Sequence, residues 1–125
     1  MIGDRGGRTF ALPLVEVVRV SMSPRIVESP MMPVGYVGVI DFEGDAVPVW
    51  DPFPESGDAM WGATVIVADT PKGRVGFLSD APPRVVGSSS ESVEVAKPAG
   101  AEGPMWNAAV MIGGDTVPVL SPSRF

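Results

Sequence analysis

Gly44-Asp-Ala-Val-Pro-Val-Trp-Asp-Pro52 and Gly114-Asp-Thr-Val-Pro-Val-Leu-Ser-Pro122 are two versions of one stretch. Each follows an apolar run, Tyr36-Val-Gly-Val-Ile40 in the first copy and Ala108-Ala-Val-Met-Ile112 in the second. In both, the Gly-Asp pair offers a hairpin turn between β-rich segments. Gly and Asp tolerate positive φ, and Asp can bond its own backbone. An echo of this length implies two similar β subdomains packed as one unit. The repeated element carries no reactive side chain and points away from catalysis.

Working outward, 125 residues suit a single domain, 1–125, in which two β subdomains share one core. A chain of this size buries roughly two-thirds of its unfolded surface. With 45% hydrophobic residues, wholesale disorder is excluded. Fifteen Gly and fourteen Pro oppose long helices, since each interior Pro costs about 3 kcal/mol. The apolar residues fall in short Val- and Ile-rich runs, as strands prefer. These predict strands near 8–20, 36–42, 46–50, 62–68, 74–79, 84–86, 107–112 and 115–120. Pro13 implies an edge or a bulge in the first of them, and Pro48 and Pro118 read the same way. Turns are expected at Gly6-Gly7, Glu43-Gly-Asp45, Pro71-Lys-Gly73 and Gly113-Gly-Asp115. Residues 88–90 and 99–104 read as loops, and 52–60 as room for one short helical turn. Short strands at close spacing argue for an all-β fold of small barrels.

Charge and missing residue types narrow the function. The net charge is −6 with no Lys/Arg cluster, so nucleic acid is not an expected partner. Without Cys there are no disulfides, no thiolate chemistry and no Cys-based metal site. Without His the usual general base and metal ligand are gone. Asp41, Glu43, Asp45 and Asp51 form an acidic cluster whose spacing does not fit a calcium loop. Ser21, Ser23 and Ser88–Ser90 have no base in a recognisable motif. No catalytic residue, metal or cofactor is expected. Arg5, Arg8, Glu16 and Arg19 interrupt any signal-peptide core, and no apolar stretch approaches the ~20 residues of a transmembrane helix. The expectation is a cytoplasmic protein with no direct membrane insertion.

These residues resemble the CheW-like domain family, the coupling modules of bacterial chemosensory arrays. Phe10-Ala-Leu-Pro-Leu-Val-Glu-Val-Val-Arg-Val20 is similar to the family's second strand, and Pro30-Met-Met-Pro33 to its Pro-x-small-Pro bend. The specific part is Tyr36-Val-Gly-Val-Ile-Asp-Phe-Glu-Gly-Asp-Ala-Val-Pro-Val-Trp-Asp51, similar to G-V-[IT]-N-L-R-G-x-[IV]-x-P-[IV]-x-D. Arg74-Val-Gly-Phe-Leu-Ser-Asp80 resembles the later G-[IL]-x-V-D strand, and 114–120 falls where the last hairpin lies. The resemblance implies two intertwined five-stranded SH3-like barrels. It also implies a non-catalytic adaptor joining a chemoreceptor's cytoplasmic tip to the regulatory domain of a CheA-type histidine kinase, at membrane-associated arrays. Val17, Arg19, Val20, Val37, Gly38, Val39 and Glu43 would lie in or beside the receptor groove. Trp50, Pro52 and Phe53 form a candidate patch for the kinase. For the valines, ordinary core packing is the competing reading. For Gly38, a close backbone or ligand approach competes with a plain bulge.

Two departures stand out. Only Met1 to Arg5 precede the Gly6-Gly7 turn, so the opening strand is expected to be shortened or missing. That would leave an open edge inviting self-association or strand donation. Glu43 stands where the family has Arg, and Arg19 where well-studied members have an acid. The resemblance therefore implies a reversed ion pair that influences partner choice more than stability. These departures leave two other readings open. One is a divergent module of a non-motility pathway, or an array cap that binds the kinase alone. The other is a purely oligomerising SH3-like structural domain.

Overall fold

A computed structural model describes residues 1–28, 31–57, 62–86, 105–112 and 114–125. The β-rich runs form nine strands among these residues: β1 (Ile2–Arg5), β2 (Arg8–Ala11), β3 (Val17–Ser21), β4 (Tyr36–Phe42), β5 (Asp45–Trp50), β6 (Thr64–Thr70), β7 (Gly73–Ser79), β8 (Trp106–Ile112) and β9 (Asp115–Leu120). The first sheet has the order β1-β2-β9-β8 and the second β3-β6-β7-β5-β4. The C-terminal hairpin thus returns to complete the sheet that the N-terminus began, which is the intertwining implied by the resemblance. Helical structure in the described residues amounts to three-residue 3₁₀ turns at Leu14–Glu16, Pro54–Ser56 and Pro122–Arg124.

The internal echo is a repeat of register. Phe42 pairs with Asp45, Val39 with Pro48 and Gly38 with Val49; Ile112 pairs with Asp115, Ala109 with Pro118 and Ala108 with Val119. Each hairpin shifts register at the same point, between Tyr36 and Gly38 and between Trp106 and Ala108. Each second strand then runs parallel to a strand of the other hairpin in its sheet, β5 to β7 at Val49 and β9 to β2 at Val119. Pro48 and Pro118 lie in interior strands, each just before that parallel ladder begins. They mark where the ladder starts, not an edge.

Several expectations are revised. The run 8–20 is two strands in different sheets. Pro13, with φ −59° and no N–H, stops β2, and a 3₁₀ turn carries the chain across to β3. The run at 84–86 is a single bridge, Arg84 to Ile2. In the first hairpin the two-residue loop is Glu43-Gly44, both at positive φ (53° and 86°), so Asp45 opens β5 instead of making the turn. The loop readings at 88–90 and 99–104 lie outside the described residues.

The opening strand is present, four residues long. Its outer edge is occupied. Ile2 exchanges both backbone hydrogen bonds with Arg84 (2.7 and 2.9 Å), and the Asp80 N–H donates to the Asp4 carbonyl (2.6 Å). The Asp4 N–H donates to Ser79 Oγ (3.1 Å). The first sheet therefore has four strands with a one-residue remnant at Arg84 in the place that β3 holds in the second. With its polar groups satisfied, β1 does not present the open edge on which self-association was expected.

Three apolar clusters follow from this layout. Ile2, Ala11 and Val117 form a small core in the first sheet. Ile40, Phe42, Val47, Val49, Val65, Val67 and Leu78 fill the inside of the second, which rolls on itself. Between the sheets lie Phe10, Leu12, Phe53, Ile66, Phe77, Trp106 and Leu120. Strands β6 and β7 supply side chains to both of the last two, which explains their unbroken apolar runs. Phe53 stacks on Trp106 with centroids 5.5 Å apart, and the Arg8 guanidinium lies 3.9 Å over its ring.

One ion pair crosses between the sheets inside this packing. Arg5, at the end of β1, donates from Nε to Asp51 Oδ1 (3.1 Å) and from Nη2 to Asp51 Oδ2 (2.9 Å), beyond the end of β5. Both residues are 2% exposed. Arg5 also donates to the Gly57 carbonyl and to Asp80 Oδ1 (3.4 Å), while Asp51 Oδ1 accepts the Phe53 N–H (3.0 Å). Burial alone would lower the Arg5 pKa; the Asp51 hydrogen bonds and charge, with Asp80 behind them, outweigh it and raise the pKa. Arg5→Met or Asp51→Leu alone leaves the other charge buried and is expected to cost about 3–5 kcal/mol. The double variant should lose much less than the sum of the singles, as measured by urea unfolding. Additive losses would mean that the two charges do not act as a unit.

Candidate functional site

The second sheet places the predicted receptor-groove residues on its two edge strands. Val17, Arg19 and Val20 are on β3 and Val37, Gly38 and Val39 on β4, at opposite ends of the strand order. The sheet rolls far enough for the β4–β5 turn to reach β3. There Arg19 Nη1 meets Glu43 Oε1 at 3.0 Å. The reversed pair implied by the resemblance is formed, and it has a third member, since Arg74 Nη1 lies 3.7 Å from Glu43 Oε2. Both guanidinium groups also sit near the Phe42 ring, 5.8 and 5.7 Å from its centroid. The network thus lies over Phe42, a member of the second sheet's core.

Not all seven residues reach a surface that a partner could touch. Val17 packs against the core between the sheets, and Val37 against the core of the second sheet. Val20 is half-buried. Gly38 is buried because the chain itself occupies the space above it. A Cβ there would lie 2.6 Å from the Val27 carbonyl oxygen and 2.7 Å from Ile26 Cγ2. Val27 in turn exchanges two backbone hydrogen bonds with Val39, each 2.9 Å. Gly38 therefore answers both of its readings at once, a register shift and a close backbone approach. An open depression of about 280 Å³ is lined by Val27, Val39, Ile40, Ala46, Asp41 and Asp45. It is below the size of a usual small-molecule site.

The candidate kinase patch is corrected by burial. Phe53 is 1% exposed in the core between the sheets, and Pro52 is buried beside it. Trp50 is half-buried, edge-on to Phe77 and Phe125. Their apolar surface is spent on joining the sheets, so Pro52 and Phe53 offer none to another protein. The acidic cluster also disperses: Asp51 holds Arg5, Glu43 holds Arg19, and Asp41 Oδ1 accepts the Gly44 N–H (3.1 Å). No group of three Asp or Glu side chains among the described residues could hold a metal ion.

Sequence reasoning missed the apolar surface next to the charge network. Leu14 and Val15, in the 3₁₀ turn leading into β3, are 50% and 92% exposed. Val18, which follows at the register shift in β3, is exposed as well. The clue was Pro13, which breaks the run and turns its alternation outward. Met22 and Met31 are exposed as well, and a flexible thioether suits an adaptable surface.

Arg19 and Glu43 are 63% and 49% exposed, so their pair contributes only about 0–1 kcal/mol. Arg19→Glu and Glu43→Arg should each lower stability slightly, and the double variant should recover only part of the loss. Arg74 would then face a second guanidinium. The coupling should fade by roughly 0.5 M salt, and its absence in low-salt thermal unfolding would show that the contact is not formed in solution. Gly38→Ala is expected to cost about 1–3 kcal/mol in the same measurement, through the clash with Val27.

The comparisons with known proteins agree with this architecture. The family model of the CheW-like domain matches residues 4–125. No curated protein sequence matches. Among solved structures, the chain is similar to the scaffolding protein TtCheW from Thermoanaerobacter tengcongensis, with a TM-score of 0.79 and 18% identity over 95% of this chain and 85% of that one. At that identity the likeness is one of fold. With the family model spanning both sheets from Asp4 to Phe125, the chain belongs to the CheW-like domain family.

Proposed function

We propose that this protein is a non-catalytic coupling scaffold of a bacterial chemosensory pathway, holding a chemoreceptor tip and a CheA-type histidine kinase together. The observation that carries this reading is the family match over 4–125, on a chain whose two sheets are locked into one unit by Arg5 and Asp51. A scaffold of this kind works by geometry. Two partners docked on one rigid body bias each other's states by the difference in their contacts, and no bond is made or broken. No helix among the described residues is long and apolar enough to cross a membrane. Recruitment to a membrane-associated array would then come through the receptor.

The receptor-facing surface we assign is the rolled edge of the second sheet. It includes the Arg19–Glu43–Arg74 network, Val39 and the exposed Leu14 and Val15. Charge order there sets which partner is accepted, since like charges brought face to face reject a wrong one. The kinase face is not assigned to Pro52 or Phe53, which are buried.

Calorimetric titration tests the proposal, using the regulatory domain of the histidine kinase from the same genome and, separately, a receptor-tip fragment. Binding of both is the expected result. Binding of the kinase domain alone would make the chain an array cap or a pathway-specific module. Binding of neither would overturn the coupling function in favour of a structural domain.

A further inference from the structure

The second sheet rolls without closing. Its strand order runs from β3 to β4 with no ladder joining the two ends. Among the described residues no backbone hydrogen bond links Val17–Ser21 to Tyr36–Phe42. The seam between these edges is held at two points. At one, the chain that leaves β3 lies along β4, where Val27 and Val39 exchange backbone hydrogen bonds of 2.9 Å each. At the other, Arg19 of β3 meets Glu43, on the hairpin tip, at 3.0 Å. From Val39 to Glu43 the strand runs four residues, about 13 Å at the usual rise. The tip is thus a lever whose fixed point is the Val27–Val39 pair.

The two points differ in strength. The backbone pair is bonded in both directions beside Gly38, which is buried. The ion pair stands largely in water and is open to screening by salt. Beneath it Phe42 is buried with the second sheet's core, and the Arg19 guanidinium lies 5.8 Å from its ring centroid. Arg74 of β7 lies 3.7 Å from Glu43 and 3.7 Å from Asp69. Glu43 therefore keeps a cation when Arg19 leaves, which lowers the cost of parting the tip from β3.

We infer that the Arg19–Glu43 contact is a salt-sensitive clasp, hinged at Val27 and Val39, that lets the tip of the β4–β5 hairpin lift from β3 and uncover Phe42. Opening exchanges one exposed ion pair and one cation–ring contact for hydrated charges, and it bares one aromatic face. The ladders β3–β6, β6–β7, β7–β5 and β5–β4 stay intact in both states. Two states so close in free energy are shifted by anything that touches one of them better than the other. The inference concerns a motion of the chain alone and does not rest on the coupling reading.

The chain has no Cys, so spin labels can be placed without removing a native thiol. Val18→Cys on β3 and Asp45→Cys at the tip are both exposed and outside the clasp. Dipolar electron paramagnetic resonance on that doubly labelled full chain reads the distance across the seam. At low salt one short distance is expected to dominate. At roughly 0.5 M salt a longer one should grow about two- to fivefold, as befits the loss of one exposed pair. Glu43→Gln should bring out the longer distance at low salt and remove its salt dependence. A pair that only adds stability would lower the melting temperature and leave the distance single. In the unlabelled chain, the NMR signals of the Phe42 ring should shift with salt while those of Phe10 and Phe53, between the sheets, hold still. A distance distribution that salt and Glu43→Gln both leave unchanged overturns the clasp. So does a salt response that persists undiminished in Glu43→Gln, or a Phe42 ring that follows Phe10 and Phe53.

Discussion

The buried pair of Arg5 and Asp51 is the constraint on which the architecture turns. It joins the end of β1 in the first sheet to the residue after β5 in the second, with Asp80 and the Gly57 carbonyl completing the guanidinium's partners. A salt bridge taken out of water is weak evidence for net stability, because desolvation offsets much of the attraction. Its geometric demand is strict all the same. A bidentate pair tolerates little displacement, so the two sheets hold one orientation only. Asp51 also accepts the Phe53 N–H and so fixes the residue that stacks on Trp106. One carboxylate thus aligns the polar link and the aromatic link across the same interface.

Around that link the fold solves a difficulty of its own making. Two small sheets would each leave edges exposed, and edges recruit other chains. Intertwining places β9 beside β2, and the segment around Arg84 closes the far side of β1. The segment at Val27 does the same for β4. What remains on β3 carries a register shift and a charged residue at Arg19, both of which discourage strand addition. The surfaces left for partners are side-chain surfaces, consistent with docking through contact and charge.

Much of this was legible in the sequence because it rested on local rules. The repeated Gly-Asp stretch gave away two hairpins, and the Val- and Ile-rich runs their strands, since turn chemistry and β preference act within a few residues. The break at Pro13 was half legible: a proline marks the interruption, but only the path of the chain shows that it separates two sheets. The roles of Asp51 and Phe53 were not legible. Both follow a strand and look like exposed loop residues by sequence, yet they are buried by partners 46 positions away at Arg5 and across the interface at Trp106. Long-range pairing of this kind leaves no periodic trace. Gly38 was legible as a tight spot, but not which segment fills it.

The charged rim and the buried pair occupy opposite ends of one energetic scale, and this bears on function. Arg5 and Asp51 are inaccessible, so changing either alters the fold before it alters a partner. Arg19, Glu43 and Arg74 contribute little to folding, so their signs can be exchanged at small cost to the protein. A partner docked on that rim, as proposed, would meet those signs directly. Glu43 also holds a left-handed backbone at φ 53° on the hairpin tip, from which its side chain meets Arg19. A scaffold that must keep its shape while changing its clients would separate the two tasks in this way. In the proposed function, a sheet interface held by one buried pair sets the geometry, and the rim of exposed charges beside an apolar turn would select what docks on it.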